Sequence, residues 1–560
     1  MVRKGTGSLL AFLLQLVIIA RSDEISQRTP LLNVGVSAVS ITPFGPNPDW
    51  DGTVTDSGVW GEKFTDRNHN GRWDPSEAFQ DDPGNDQLDS SSEGKYDGIY
   101  LAGFGGNRLA SGKHDDLWAR ALVLESSDCK IAIVSVDLIG YYSRPSYFGP
   151  ETLGLGLSEI LITSTHNHEG PDTIGPWGFT PLSDGKYPKY LRFVNREIAK
   201  AIVLAANSSV PARMKLGCTD PRTSPALAGM QTRTGGRPPD FFDEELRVMQ
   251  FVGLSGAAKD KVIATMINWN THPASMQDKN RFITSDFPHA VRESVERRYG
   301  GTAVYTSGDL GAVEIVGDSQ QDQNERTRFD GKNFKRRNAQ ELLPSFERTE
   351  GIGRDVAKAV VDALEMGEWS PVSGIEIKKS KLRMPMDNVA YSYLAQKGVL
   401  DVLSRQEDTH ELEIETKVFV ITLGDAQIIT TPGELFPEVF YGVESYRRRD
   451  CPAANTGRPY EPSVRERMTR KYRFVLGLCP DELGYLVPGY DFLAAQVDPA
   501  GPASRQAEDA CRAKGVPSHY HETNSASSQL AAAWACTAVQ LLDGSIPDTP
   551  ACRGVAKYIH

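Results

Sequence analysis

The chain has 560 residues, enough for one large domain or for two domains of average size. Its 39% hydrophobic and 24% charged residues are typical of a folded globular protein and exclude a disordered chain or a membrane-embedded helix bundle. The formal net charge is -12, and no stripe of lysine and arginine occurs. Nucleic acid is therefore not an expected partner, because binding phosphates requires clustered basic residues.

The N-terminus has the pattern of a secretory signal peptide. Arg3 and Lys4 precede an apolar run from Leu9 to Ala20, and the sequence Ala20-Arg21-Ser22, with small residues on either side of Arg21, provides the exit. The run is shorter than the roughly 20 apolar residues that span a bilayer, and no later segment is long enough either. We therefore expect residues 1–22 to be removed and the product to be secreted or periplasmic, without a transmembrane segment.

Short apolar, β-branched runs along the chain predict buried strands. These runs are Lys130–Asp137, Glu159–Thr165, Val262–Trp269, Thr302–Thr306, Ala426–Thr431 and Tyr472–Leu478. Helical patterns lie between several of them, at Tyr190–Ala206, Phe287–Tyr299 and Gly353–Met366. This alternation predicts an α/β or mixed α+β fold, with layered sheets flanked by helices. Since no internal repeat or long linker is present, we expect one domain over residues 23–560.

Polar residues with useful chemistry follow the ends of several predicted strands. They are Asp137, Thr165–His168, Asn270–His272, Ser307–Asp309 and Pro432–Glu434. In open α/β sheets, ligands bind beyond the carboxyl ends of the strands. We therefore expect these strand ends to build one functional site.

His166 and His168 are separated by one residue at a strand end, so both side chains can point to the same side. This spacing fits a metal site or a hydrogen-bonded pair, and it equally fits two loop histidines held by backbone groups. His272 taken alone is just as ambiguous. Catalytic zinc sites take about three protein ligands from His, Glu and Asp. The histidines together with Glu434 provide such a set.

Four separated segments resemble the neutral ceramidase superfamily in order and context. They are Ser164–Pro171, Asn268–Met276, Thr431–Glu434, and Gly477–Cys479 followed by Tyr485. The resemblance extends from about Val34 to about Ser525. It implies a ceramidase-type catalytic domain that binds one zinc ion.

The resemblance assigns the zinc ligands residue by residue. The implied ligands are His166, His272, Glu434 and Tyr485. Zinc lowers the pKa of a bound water to about 7 and polarises a carbonyl oxygen. The implied activity is hydrolysis of an amide or related carbonyl bond, with a small-molecule or lipid-like amide as the substrate.

Two further residues are candidates for catalysis. His168, beside the implied ligand His166, is a candidate to handle a proton or to orient the substrate, and support of that ligand is the alternative role. Tyr520 matches a family tyrosine whose hydroxyl stabilises a developing oxyanion. A buried structural tyrosine is the alternative at that position.

The chain departs from the family where ceramidases carry a serine that activity requires. The family segment reads G-D-x-S-P-N, whereas residues 307–315 contain no serine after the G-D pair, and Glu314 falls near its place. This difference argues against ceramide as the substrate. It leaves Glu314 as a base, a substrate contact or a residue that fills space. The family's substrate-side arginine corresponds to Arg233 or Arg237, and the sequence does not decide between them.

A second departure is at the C-terminus. Ceramidases continue into a β-sandwich domain, whereas this chain ends soon after the matched region. We therefore expect this chain to lack that domain.

An acidic insert over residues 56–97 contains the spacing of an EF-hand calcium loop. The candidate calcium ligands are Asp66, Asn68, Asn70, Arg72 through its carbonyl, Asp74 and Glu77. An exposed insert with few apolar residues needs an ion to order it, so the predicted role is structural. An acidic, solvated loop is the alternative.

Five of the seven cysteines lie in the last fifth of the chain, at Cys451, Cys479, Cys511, Cys536 and Cys552. No C-x-x-C spacing occurs, so cysteine ligands to a metal are not predicted. In an exported protein we expect some disulfides, with Cys536–Cys552 as one candidate pairing. The sequence leaves the pairing open, and an odd number leaves one cysteine over.

Three hypotheses about function follow. The first is a secreted zinc-dependent hydrolase that cleaves an amide or related carbonyl bond in an unidentified substrate. The second is a true ceramidase that hydrolyses N-acyl sphingoid amides, and the third is a non-catalytic extracellular binding protein ordered by calcium. Retention of two histidines, a carboxylate and a phenol at matching positions favours an enzyme. The sequence does not define the oligomeric state.

Overall fold

A computed structural model describes residues 32–46, 54–69, 73–74, 76–79, 96, 98–148, 152, 154–180, 183–229, 233–235, 241–315, 344–401, 403–405, 412–443, 459–492 and 520–560. Its strands are β1 (Leu32–Ser40), β2 (Gly112–Lys113), β3 (Trp118–Glu125), β4 (Lys130–Val136), β5 (Glu159–Ser164), β6 (Val210–Thr219), β7 (Arg233–Gly235), β8 (Leu246–Gly253), β9 (Val262–Trp269), β10 (Phe282–Ile283), β11 (Thr302–Ser307), β12 (Val313–Ile315), β13 (Glu368–Ser370), β14 (Ile375–Pro385), β15 (Leu403–Arg405), β16 (Leu412–Leu423), β17 (Ala426–Thr430), β18 (Glu434–Leu435), β19 (Tyr472–Leu476) and β20 (Tyr485–Leu486). Its α-helices are α1 (Pro188–Asn207), α2 (Pro225–Gly229), α3 (Phe287–Tyr299), α4 (Phe346–Glu365), α5 (Val389–Gln396), α6 (Pro437–Tyr441), α7 (Tyr520–Thr523), α8 (Leu530–Asp543) and α9 (Pro550–Val555). The predicted signal peptide lies outside the described residues.

Two mixed sheets form the framework. The larger sheet has nine strands in the order β11-β9-β8-β6-β1-β3-β4-β5, with β13 also paired to β6. Its β9–β11 and β4–β5 pairs are parallel and its remaining pairs are antiparallel. The smaller sheet has five strands in the order β14-β16-β17-β19, with β15 also paired to β16, and only β17–β19 is parallel. The predicted fold class, layered sheets flanked by helices, is confirmed.

The two sheets pack face to face, and helices cover their outer faces. On β3, Leu122 and Leu124 point into the core between the sheets, whereas Ala121 and Val123 point towards α1. The smaller sheet alternates in the same way, since Phe419 of β16 faces the core between the sheets and its neighbours face α8. Strands buried on both faces read as continuous apolar runs, which is why several were visible in the sequence.

Helices α3 and α4 cover the end of the larger sheet that contains β8, β9 and β11, and they share a core with those strands. Helices α8 and α9 pack against the smaller sheet and are joined by a disulfide between Cys536 and Cys552. The candidate pairing Cys536–Cys552 is thereby confirmed. No helix within the described ranges combines the length and apolar character that crossing a membrane requires.

The described parts of the insert are held by isolated bridges and aromatic packing rather than by regular elements. Trp73 stacks on Tyr96 with ring centroids 5.3 Å apart and contacts Phe179 edge to face at 5.8 Å. Phe179 belongs to the segment that follows His168, so the insert packs against that segment. The extent of the insert and the single-domain boundary stay predictions.

Candidate metal centre

The predicted site residues lie at strand ends contributed by both sheets. Backbone hydrogen bonds join these ends: Ser164 N donates to Leu478 O at 3.2 Å, and Gly477 N donates to Ser307 O at 2.9 Å. The segment after β5 therefore lies beside the segment after β19, which belongs to the other sheet. This juxtaposition brings together side chains that are far apart in the sequence.

His166, His272 and Glu434 converge on one point. Glu434 Oε2 lies 3.2 Å from His166 Nε2 and 2.9 Å from His272 Nε2. All three side chains are at most 7% exposed. The predicted ligands from the first, second and third matching segments are therefore neighbours in the structure.

The other nitrogen of each imidazole is fixed by a backbone carbonyl. His166 Nδ1 donates to Ile139 O at 2.8 Å, and His272 Nδ1 donates to Val313 O at 2.9 Å. A carbonyl oxygen only accepts, so the proton of a neutral ring is on Nδ1 and the lone pair of Nε2 faces Glu434. Two lone pairs and a carboxylate that meet in a buried site are satisfied by a cation between them, or by a second proton on one of the rings.

The spacing of these atoms fits a zinc ion. Ligand atoms at about 2.0–2.1 Å from zinc with tetrahedral angles lie about 3.3 Å from one another. The two distances to Glu434 Oε2, 3.2 and 2.9 Å, are close to that separation. Imidazole and carboxylate groups are also ligand types that zinc prefers.

Tyr485 is placed beside Glu434 by a short parallel pair of strands. Glu434 and Tyr485 are register partners in the β18–β20 pair, and Tyr485 is 4% exposed. Burial, and next the charges of Glu434, Tyr520 and Glu314, raises the pKa of the Tyr485 phenol well above its usual value. The Tyr485 ring centroid is 5.9 Å from that of Tyr520, so the phenol lies beside Glu434 and Tyr520.

The His168 side chain lies next to the other two histidines, but its imidazole makes no hydrogen bond in the described part of the chain. It is 7% exposed, and neither ring nitrogen has a partner. One ligand atom from each of His166, His168 and His272 lies within 4.8 Å of those from the other two. Burial, and next the neighbouring His166, holds the pKa of His168 well below its usual value. His168 is therefore a neutral imidazole able to interact with a ligand in the site.

The wall behind His168 is built by residues that sequence reasoning missed. Phe104 contacts the His168 ring edge to face at 4.9 Å, and the nearby guanidinium of Arg108 donates to the His168 carbonyl at 3.1 Å. Arg108 also pairs with buried Glu169 at 2.7 Å. These contacts span about sixty positions of sequence, and no local spacing signals them.

Backbone strain is concentrated around the site. His166, Ala312 and Leu478 have φ values of 64°, 61° and 49°, in the left-handed region that non-glycine residues rarely adopt. Such conformations persist only where the surrounding structure imposes them, and they gather at functional sites.

Asp137, predicted among the strand-end residues, forms a buried ion pair with Arg292. Its two oxygens accept hydrogen bonds from Arg292 of α3 at 2.7 and 2.8 Å, and both side chains are at most 2% exposed. Asp309 is also fully buried, and burial followed by the charge of Asp243 raises its pKa well above the usual value. Neither residue contacts the three histidines by a hydrogen bond that the structure describes.

Of the remaining predicted residues, Glu314 lies near His272 and Tyr520 lies near Tyr485. Glu314 Oε2 lies 4.0 Å from His272 Nδ1. Tyr520 is 50% exposed, with its ring centroid 5.9 Å from that of Tyr485, so it is not the buried tyrosine of the alternative interpretation. Arg233 lies on β7, which pairs with β12, and Arg237 is outside the described residues.

Glu482 is a second buried carboxyl that sequence reasoning missed. Its Oε1 accepts from Gly484 N at 2.9 Å, while Oε2 has no partner in the described part of the chain. Burial, and next the charge of Glu434, raises its pKa well above the usual value. Glu482 lies between Cys479 and Tyr485, inside the fourth matching segment. This position could have identified it as a site residue from the sequence.

The described part of the predicted calcium loop forms internal contacts. Glu77 accepts from Arg67 N at 2.8 Å and from Asp74 N at 3.0 Å, and Asn68 donates to Asp74 at 2.7 Å. Asp66 is described as well, whereas candidate ligands Asn70 and Arg72 lie outside the described residues. Calcium binding stays a prediction.

Comparisons with known proteins identify the fold of this chain. No protein-family model and no curated protein matches the sequence. The neutral ceramidase from Pseudomonas aeruginosa matches with a TM-score of 0.54 and 12% sequence identity, over 93% of this chain and 76% of that chain. A ceramidase complexed with C2 matches with a TM-score of 0.52 at the same identity and coverage, 12%, 93% and 76%. The chain therefore has the fold of the neutral ceramidases, as the motif resemblance predicts.

Proposed function

We propose that this protein is a zinc-dependent hydrolase that cleaves an amide or related carbonyl bond. The observation that carries the proposal is the convergence of His166 Nε2 and His272 Nε2 on Glu434 Oε2, at 3.2 and 2.9 Å. Tyr485, paired with Glu434 across β18 and β20, is the proposed fourth ligand. The ceramidase fold supports this proposal, and the segments that resemble ceramidase motifs lie at strand ends that meet in this structure.

A zinc ion held there supplies a nucleophile at neutral pH by lowering the pKa of its water to about 7, and it polarises a carbonyl oxygen. The chain provides the remaining functions. Hydrogen bonds from Nδ1 to Ile139 O and Val313 O fix the orientation of both ligand rings. His168 is positioned to accept or orient a proton, since both of its ring nitrogens lack partners in the described part of the chain.

Metal analysis tests the proposed site directly. We expect the purified protein, after exposure to zinc and gel filtration, to retain about one zinc per chain. His272→Ala and Glu434→Ala should lose it, because each removes one converging ligand. Glu376→Gln, an exposed change on β14, is the control and should retain it. A wild-type protein that retains no zinc would overturn the proposal.

A substrate panel then tests the reaction class. We expect release of a carboxylic acid from at least one amide or ester by the zinc-loaded protein, and no release by Glu434→Ala. Short-chain ceramide in detergent belongs in the panel, since hydrolysis of ceramide would identify a ceramidase. Glu314 at the place of the family serine favours a different amide. Inertness towards the whole panel at full zinc loading would instead support a binding protein.

We also propose a structural calcium ion in the insert. Two observations support it: Asn68 and Glu77 both hydrogen-bond to Asp74 within the loop, and Trp73 packs into the aromatic cluster. Calcium should raise the melting temperature of the wild type, and Asp66→Ala should abolish that increase. Asp56→Ala, an exposed change outside the loop, is the control. Equal melting temperatures with calcium and with chelator would contradict this proposal.

A further inference from the structure

The short strand β20, which contains Tyr485, is hydrogen-bonded on both sides. On one side it pairs with β18, where Glu434 N donates to Gly484 O at 3.0 Å. On the other side Tyr485 N donates to Asn524 O at 3.0 Å, and a bridge joins Gly484 to Ser525. The position of this proposed ligand therefore depends on the chain around Asn524 as well as on β18.

The same stretch of chain contains Tyr520, the candidate for stabilising an oxyanion. The Tyr520 carbonyl accepts three hydrogen bonds, from Asn524 N at 3.1 Å, from Asn524 Nδ2 at 2.8 Å and from Thr523 Oγ1 at 3.1 Å. The Tyr520 ring is centred 5.9 Å from that of Tyr485. One turn, over residues 520–525, therefore positions Tyr520 and also borders the proposed ligand.

Asn388 connects this turn to helix α5. Its side-chain nitrogen donates to Thr523 O at 2.9 Å and to Ser525 O at 2.7 Å, and the residue is only 2% exposed. Tyr391, on the same helix, donates from its hydroxyl to Asn524 O at 3.2 Å. The start of α5 thus binds three consecutive carbonyls of the 520–525 turn.

Asn388 is also the N-cap of α5. Its side-chain oxygen accepts from Ala390 N at 2.9 Å and from Tyr391 N at 3.2 Å. Asparagine, aspartate and serine cap helices about equally well, so capping alone does not require asparagine. Of the three, only asparagine adds two N–H donors, and both are used here. The residue type therefore indicates a second role, which is the contact with the turn.

We propose that Asn388 is a positioning residue of the active site. It holds the 520–525 turn where the Tyr520 hydroxyl can stabilise a developing oxyanion beside Tyr485. The inference rests on the proposed hydrolase function. The hydrogen bonds that the structure describes for the Asn388 side chain reach no proposed zinc ligand, so the residue acts through the turn.

Asn388→Ser separates the two roles, because serine keeps a capping oxygen and removes both donors to the turn. We expect this variant to lower kcat by roughly ten- to a hundredfold on the amide found by the panel, the range for a small misplacement of a catalytic group. KM should change by less than about twofold, since the oxyanion contact forms only in the transition state.

Two further variants accompany it. Asn388→Asp also caps the helix but turns a carboxylate oxygen towards two carbonyl oxygens, so it should lower kcat further than Asn388→Ser. Thr549→Ala is the control, because it removes a capping oxygen from α9, where Thr549 accepts from Cys552 N at 3.3 Å. Both kcat and KM should stay unchanged in the control.

A double-mutant cycle shows whether Asn388 acts through Tyr520. We expect Tyr520→Phe alone to lower kcat by about 10²–10³-fold, as for loss of one oxyanion donor. In that background Asn388→Ser should lower kcat by less than about twofold more. Equal effects of Asn388→Ser in both backgrounds, or a kcat that Asn388→Ser leaves intact, would overturn the inference while leaving the hydrolase proposal standing.

Hydrogen exchange separates the inference from the hydrolase proposal, because it needs neither zinc nor a substrate. Asn388→Ser should increase exchange of the Tyr485 amide by about tenfold, since Asn524 O is then held less firmly, and Thr549→Ala should not. If no amide is hydrolysed, this increase would still support the role of Asn388 in positioning Tyr485. Unchanged exchange at Tyr485 in Asn388→Ser would overturn that role.

Discussion

At the scale of single residues, the three histidines differ in what their ring nitrogens contact. His166 and His272 each donate from Nδ1 to a carbonyl oxygen and direct Nε2 at Glu434. His168 has neither contact, although it lies within the same group. A ligand ring needs a fixed orientation, which only the first two rings have. The role that we propose for His168 is therefore towards the substrate rather than as a ligand.

This difference predicts different consequences of removing each ring. We expect His168→Ala to retain zinc but to lower kcat by about 10²–10⁴-fold on the amide found by the panel, the range for loss of a general acid or base. His166→Ala should lose both zinc and activity. Zinc content and kcat are measured on the same samples. Loss of zinc from His168→Ala would identify it as a ligand instead.

Gly103 is required by the packing of His168. A Cβ on this residue would lie 2.4 Å from His168 Cγ, and its φ of 93° is strained for any side chain. We expect Gly103→Ala to lower the free energy of unfolding by about 1–3 kcal/mol and to reduce kcat, because the imidazole must move. Urea denaturation and kinetics measure both effects. Gly105→Ala, where nothing lies within 4 Å, is the control, and equal behaviour of the two variants would contradict the prediction.

At the scale of elements, the sequence predicts several buried strands accurately, but it misses the buried strands β3 and β8 and the half-exposed β14. The predicted runs Val262–Trp269 and Ala426–Thr431 correspond to β9 and β17 almost residue for residue. Strand β14 was not predicted, because only one of its faces is buried and lysines alternate along the other. Its position is determined by pairing with β16, which is a tertiary contact.

The helix predicted from Gly353 starts two turns earlier, at Phe346. Its first turns are polar and carry little apolar periodicity, but Ser345 caps them by accepting from Arg348 N at 3.2 Å. We expect Ser345→Ala to lower the free energy of unfolding by about 1 kcal/mol, and Ser345→Asp to preserve it. Urea midpoints of the two variants provide the comparison. Equal loss in both would show that the cap is not what starts α4.

The site itself was predicted in part. Motif order identified His166, His272 and Glu434, and the structure brings these three together. The role of Phe104 was not predictable, because it reaches the site through a fold contact rather than through a local pattern. Sequence motifs mark strand ends, whereas the wall of a site depends on which segments the fold places beside them.

At the scale of the whole molecule, the proposed zinc site joins the two sheets. His166 and His272 follow strands β5 and β9 of the larger sheet, while Glu434 and Tyr485 follow β17 and β19 of the smaller one. The strand ends are already connected by backbone hydrogen bonds. An ion with ligands from both sheets would add a further connection that no single element can make. Metal binding is therefore expected to stabilise the packing of the sheets against each other.

Removal of the metal tests this arrangement. Ligand binding stabilises a folded protein by about 4 kcal/mol when free ligand exceeds its Kd by about a thousandfold, so chelation should lower the melting temperature of the zinc-loaded protein. Hydrogen exchange should increase at the ends of β5 and β9 and also at β18 and β20. Glu376→Gln should respond as the wild type does, whereas His272→Ala should show no effect of chelator. Increased exchange confined to one sheet would mean that the ion is not shared, because an ion bound by both sheets protects both when it is present.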